Sequence, residues 1–131
     1  MRKSGERRGD QVNPENVNGY VKRKLDAVGV PCGYRRFKGE EIPGIPYVLY
    51  FFERERFSGT DARNRLCRSD VVIELYTAEK EFALEEAIEA QFAEHEIEKS
   101  EDFNDADEVF RVTYEFSVSS KIRQGGKYVQ G

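Results

Sequence analysis

The sequence predicts an α+β domain in which an antiparallel or mixed β-sheet of about five strands carries two helices on one face, in the order α-β-β-β-α-β-β. Two segments with apolar residues at helical spacing are separated by a block of strand-like segments. The last strand-like segment alternates apolar and polar residues throughout, as a strand with one buried face does. A chain of 131 residues can bury a core of its own, so we expect a single domain over residues 13–120.

The N-terminal part predicts an arm followed by a helix. Residues 1–12 are charged and polar with almost nothing apolar to bury, so we expect a flexible arm. Asn13 and Pro14 are typical of an N-cap and a first helical position, and Gly29 is a natural stop. One face of this helix is apolar and consists of Val17, Val21, Leu25 and Val28.

The middle of the chain predicts three strands. The first is short, at residues 31–37. The second, residues 47–52, is apolar on both alternating faces, which indicates a central strand or one that another subunit covers. Its candidate subunit-packing residues are Tyr47, Val48, Tyr50 and Phe52. The third strand, residues 70–77, places Val71, Ile73 and Leu75 on one face.

Between the second and third strands, residues 53–68 are highly charged and contain a Ser-Gly-Thr-Asp sequence, so we expect a long hairpin loop. Its candidate contact residues are Arg54, Arg56, Arg63, Arg65 and Arg68. Arginine makes forked hydrogen bonds to phosphate and to carboxylate, so this loop could contact phosphates or pair with carboxylates across a subunit boundary. Acidic residues lie among the arginines, and a solvated loop that neutralises itself is the other reading.

The C-terminal part predicts a second helix and a final hairpin. Thr77 is a plausible N-cap for a helix that continues to about His95, with a buried stripe of Leu84, Ala87, Ile88 and Phe92. Residues 97–103 and 109–119 then form a hairpin, and residues 121–131 should be a flexible tail.

Composition and motifs argue against several functions. A net charge of −4 disfavours generic wrapping of nucleic acid, and no apolar stretch approaches the roughly 20 residues that cross a bilayer. Cys32, Cys67 and His95 lack metal-ligand spacing, and we expect both thiols to be reduced in the cytosol. The sequence contains no catalytic triad and no phosphate-binding loop, so we predict no catalytic, cofactor or metal residue and no enzyme. The enzymatic alternative is a metal-dependent nuclease that uses Asp70 and Glu74, which share one strand face.

Several segments in their order along the chain resemble the tail terminator, or tail completion, proteins of siphophages and related prophages. The resemblance covers residues 15–119. It rests on Pro31-Cys32-Gly33-Tyr34, Pro43-Gly44-Ile45-Pro46, Tyr47-Val48-Leu49-Tyr50-Phe51, Val72-Ile73-Glu74-Leu75-Tyr76-Thr77 and Val109-Phe110-Arg111-Val112-Thr113-Tyr114-Glu115-Phe116.

This resemblance implies a structural virion protein that assembles in the host cytoplasm and lies at the top of the tail, at the neck. Its expected partners are itself, as a homohexameric ring, the tail-tube protein and a head-side connector or stopper protein. Genomic DNA would pass through the lumen without sequence-specific binding, and no membrane is involved. The alternative within the same class is another head-tail connector, a stopper or head-completion protein.

Overall fold

The computed structural model describes residues 15–39, 42–59, 65–123 and 126–129. Two helices and six strands follow one another in these ranges. They are α1 (Val17–Asp26), β1 (Cys32–Tyr34), β2 (Tyr47–Ser58), β3 (Leu66–Thr77), α2 (Phe82–Gln91), β4 (Glu98–Asn104), β5 (Val109–Arg123) and β6 (Gly126–Val129). The predicted α+β class and element order are confirmed, with β6 as an additional strand. The predicted arm, residues 1–12, lies outside the described residues.

Helix α1 begins one turn later than the predicted cap. Its N-cap is Asn16, whose side chain accepts a 2.7 Å hydrogen bond from the backbone N–H of Gly19, and Asn13 and Pro14 lie outside the described residues. Just beyond the helix, Gly29 has a φ of 96°, which favours glycine. The buried face of α1 comprises Val17, Tyr20, Val21 and Leu25.

The six strands form one mixed sheet in the order β1-β2-β3-β5-β4, and β6 also pairs with β5. Only β1 and β2 are parallel, and every other pairing is antiparallel. Strand β5 is long enough for β4 to pair with its first half and β6 with its end, both on the edge opposite β3. The predicted tail from residue 121 is therefore wrong over 121–123 and 126–129, which form strand.

The predicted long loop over residues 53–68 is also wrong in extent. Strand β2 continues to Ser58 and β3 begins at Leu66, so the arginine-rich segment is mostly a paired hairpin. Charged residues can occupy a strand when their side chains project from a solvated face, and the cross-strand hydrogen bonds form regardless of side-chain charge.

Helix α2 is shorter than predicted and starts after Thr77. Thr77 ends β3, pairs in register with Phe110 and is 2% exposed, so it belongs to the sheet and does not cap the helix. A β-branched residue suits this position in a pleated sheet. Glu81 is the N-cap, and Phe92 follows the last turn as the C-cap. Ile88 and Phe92 of the predicted stripe are buried.

Both helices pack on the same face of the sheet. Their buried residues join one core with the alternate residues of three strands. These strand residues are Val48, Tyr50, Val71, Ile73, Leu75, Val112, Tyr114, Phe116 and Val118. His95, which follows α2, stacks on Phe116 with a ring separation of 4.9 Å, and its Nε2 lies 2.7 Å from the Tyr20 hydroxyl.

A buried carboxylate holds α2 against β4. The side chain of Glu85 is 3% exposed, and its two oxygens lie 2.7 Å from Nζ of Lys80 and 2.9 Å from Nζ of Lys99. Lys99 also contacts Glu89 at 2.6 Å, and Glu89 accepts a 2.8 Å hydrogen bond from Tyr114. Burial alone would raise the pKa of Glu85, but the two ammonium groups outweigh it and hold that pKa below its ordinary value of 4.5.

Candidate interaction surface

The sheet face opposite the helices, here called the open face, is covered by no helix among the described residues. Apolar and aromatic side chains occupy its centre, and they come from alternate positions of two paired strands. Leu49 and Val72 are buried there, at 9% and 5% exposure, by their neighbours on the sheet alone. The other members, which are half-buried, are Tyr47, Phe51 and Tyr76.

The aromatic side chains of the open face contact one another and nearby charges. The rings of Tyr47 and Tyr76 lie 5.2 Å apart, and the guanidinium of Arg35 lies 4.3 Å from the ring centroid of Phe51. The Tyr76 hydroxyl donates a 2.8 Å hydrogen bond to Glu74. Burial and the neighbouring Glu74 raise the pKa of Tyr76 to about 12, so the hydroxyl remains protonated at neutral pH.

A β-bulge directs arginines to the open face. Phe52 pairs with Val71 in the core, but the register shifts before Arg54, which pairs with Asp70 on the opposite face. Without the bulge, strict alternation would place Arg54 on the same side as Phe52. Past this point Arg56 lies directly opposite Arg68, and both side chains are exposed. We call Arg56 and Arg68 the basic pair.

Asp70 positions one member of the basic pair. It accepts a 2.7 Å hydrogen bond from Ser117 and two 3.1 Å hydrogen bonds from the Arg56 guanidinium. The hydrogen bond from Ser117, together with Arg56, holds the pKa of Asp70 below its ordinary value. The forked geometry restricts Arg56 before any partner binds.

The edge of the open face formed by β4 is acidic. Glu98 of β4 lies directly opposite Glu115 of β5, and both are exposed. We call these residues the acidic pair. Nearby, Asp102 accepts hydrogen bonds of 2.5 and 3.1 Å from Arg111. A cleft of about 480 Å³ lies on this face. Its lining includes Arg54, Arg68, Asp70, Glu96, Glu98 and Glu115.

The structure brings together only some of the predicted contact arginines. Arg54, Arg56 and Arg68 share the open face. Arg65 lies immediately before β3, where its guanidinium is 5.4 Å from the ring centroid of Phe57. Arg63 lies outside the described residues.

Two of the four predicted subunit-packing residues lie in the chain's own core. Val48 and Tyr50 are 1% and 2% exposed in the chain's own core, and Phe52 packs against that core. Val48 and Tyr50 cannot contact another subunit because helix α1 and the rest of the core already cover them, whereas Phe52 remains partly exposed. Tyr47 is on the open face. Leu49 and Phe51 were not singled out from the sequence, although the apolar character of both faces of residues 47–52 was a signal for them. The acidic pair was not singled out either.

The alternative metal site at Asp70 and Glu74 is not assembled. Asp70 is bound by Arg56 and Ser117, and Glu74 accepts from Tyr76. Among the described residues, no group of three or more His, Cys, Asp and Glu side chains could hold a metal ion. Cys32 and Cys67 are both free thiols.

Comparison with protein-family models and with curated protein sequences finds no match for this chain. Within the described ranges, no helix is long and apolar enough to cross a membrane.

Proposed function

We propose that this protein is a tail terminator: a structural virion protein that forms a ring on the tail tube, ends tube polymerisation and provides the surface for head attachment. The observation that carries the proposal is the open face, an apolar and aromatic centre flanked by charges of both signs. Protein–protein interfaces have this composition, with tyrosine, phenylalanine and arginine over a small apolar core and a polar rim.

The construction of the sheet supports an assembly role. Helices α1 and α2 cover one face of the sheet and leave the open face available for another protein. The aromatic residues Tyr47, Phe51 and Tyr76 on that face are half-buried before any partner binds. Covering them would remove further apolar area from water at about 25 cal/mol per Å².

In a ring, we place the sheet end that carries the β2–β3 hairpin toward the lumen, the tube or a neighbouring subunit. It mixes Arg54, Arg56 and Arg68 with Asp70 and Glu55, so it offers genomic DNA no uniformly basic surface. Passage of DNA without sequence-specific binding requires such a balance, since a strongly basic lumen would retain DNA through counterion release. The proposed partners are the tail-tube protein and a head-side connector.

Electron microscopy of lysates from a phage with this gene interrupted tests the proposal. We expect headless tails of irregular and excessive length, and restoration of normal virions when the intact gene is supplied from a plasmid. Free tails of normal length beside DNA-filled heads would instead identify a stopper or head-completion protein. Intact, infectious virions would refute a structural role at the neck.

A further inference from the structure

A second cleft, of about 410 Å³, lies at the end of the open face away from the β2–β3 hairpin. Four of its lining residues form one row of directly paired positions across β2, β3, β5 and β4, namely Tyr47, Tyr76, Arg111 and Asp102. Ile45 and Val109 line it as well, and Ile45 is 36% exposed. The cleft therefore combines aromatic and aliphatic surface with a few charged groups, as sites that receive a ligand or an anchoring side chain do.

The charges that line this cleft leave one carboxylate without a cation. Arg111 is already paired with Asp102, which accepts two hydrogen bonds from its guanidinium. Asp107 accepts only a 3.3 Å hydrogen bond from the side-chain amide of Asn104, and no described cation pairs with it. The Asn104 side chain in turn accepts hydrogen bonds of 2.9 and 3.2 Å from the backbone N–H groups of Ala106 and Asp107, so the turn that carries this carboxylate is fixed.

The surroundings of the cleft are acidic. From Glu98 to Arg111 the sequence contains six acidic residues and two basic ones. Asp105 and Glu108, in the same turn as Asp107, are exposed and form no ion pair with another described residue. Such a field attracts a cation and repels the phosphates of nucleic acid.

We propose that this cleft receives an arginine side chain from the protein partner that covers the open face. The guanidinium of that arginine stacks on the Tyr47 ring and donates a charge-assisted hydrogen bond to Asp107, and its hydrocarbon stem lies against Ile45 and Val109. Arginine suits the cleft better than lysine, because a planar guanidinium stacks on an aromatic ring and is more weakly hydrated than an ammonium group. The inference rests on the proposed function, which supplies a protein partner on this face, and it names the chemistry of the contact.

Titration of the ¹⁵N-labelled protein with N-acetyl-arginine methylamide, followed by NMR, tests the site directly. We expect chemical-shift changes confined to the backbone amides around Tyr47 and over residues 104–109. The same probe built on citrulline has a neutral urea head of nearly the same shape. It should bind roughly fivefold more weakly, the effect of one exposed ion pair.

Two variants of the same turn separate this site from general attraction to acidic residues. D107N removes the carboxylate that lines the cleft and should weaken binding of the arginine probe roughly fivefold. D105N is the matched control: it removes an exposed carboxylate outside the lining and should leave the affinity within about twofold of wild type. Y47L keeps every charge but removes the ring, and should also weaken binding. Equal losses in D105N and D107N, or equal affinities for the arginine and citrulline probes, would overturn the inference.

The contact can also be tested in the phage. We expect D107K, which places a cation against the incoming arginine, to fail to complement the interrupted gene, whereas D105K should complement it. Normal plaques with D107K would overturn the arginine contact and leave the tail terminator proposal intact. The proposed function fails by a separate result, normal virions from the interrupted phage, and the NMR titration of the purified protein does not depend on it.

Discussion

Removing both lysines around Glu85 should destabilise the protein by more than the sum of the single changes. Lys80 and Lys99 have 27% and 41% exposed side chains, whereas the Glu85 side chain is 3% exposed. In K80M or K99M one ammonium group still compensates the carboxylate, so we expect a cost of about 1 kcal/mol each. In K80M/K99M the buried charge has neither partner.

Breaking a buried ion pair costs about 3–5 kcal/mol because the remaining charge is uncompensated. Water can approach this site along the partly exposed lysine positions, so we expect about 3 kcal/mol for the double variant. For a domain of this size that corresponds to a fall in Tm of roughly 12 °C. Adding Glu85→Gln to the double variant removes the charge and should recover most of the loss, to within about 1 kcal/mol of wild type.

Urea unfolding followed by circular dichroism measures these differences. Lys22→Met is the matched control, since Lys22 pairs with an exposed Asp26 on α1 and should cost less than about 0.5 kcal/mol. The lowered pKa of Glu85 also sets the pH dependence: the stabilisation is present above about pH 4.5 and is lost as pH falls through the folded pKa. Additive single costs, or no recovery with Glu85→Gln, would refute the account of Glu85 as a compensated buried charge.

Three further outcomes follow from the described residues. Burial lowers the pKa of His95 in the folded protein below its ordinary 6.5, so the free energy of unfolding should fall as pH drops from 6.5 through this lowered pKa. His95→Gln should flatten that part of the stability–pH curve, and an unchanged curve would contradict the prediction. Phe51→Ser should weaken self-association but lower the free energy of unfolding by only about 1 kcal/mol. A loss of unfolding free energy as large as the loss of association free energy would show that Phe51 belongs to the core. Burial raises the pKa of Cys32 to about 11 and Cys67 is 0% exposed, so iodoacetamide at pH 7.5 should label the native protein slowly and both thiols rapidly in denaturant, as mass spectrometry can follow.

Periodicity was sufficient to predict those elements whose burial is one-sided. The alternation along Val109–Ser119 and the stripe of Val17, Val21 and Leu25 each predicted a buried face that the structure confirms. These patterns are reliable because a strand or helix with one apolar face has few ways to bury it. The α+β class follows from the order of such elements, without knowledge of their contacts.

Charged segments were predicted poorly. Residues 53–58 and 66–68 have the composition of a loop, and only pairing between β2 and β3 makes them strand. Thr77 is a residue type that often caps helices, and only its pairing with Phe110 assigns it to the sheet. Backbone hydrogen bonds to a distant partner decide both cases, and a local pattern contains no information about that partner.

The sequence by itself determined the fold class and the core side of the regular strands. The tertiary structure alone decided which residues form the candidate surface. The bulge after Phe52 turns Arg54 and Arg56 to the face opposite the helices, and sheet register sets Arg68 beside Arg56 and Glu98 beside Glu115. A one-residue change in register exchanges the two faces of a strand, so the surface depends on long-range pairing that residue spacing cannot specify.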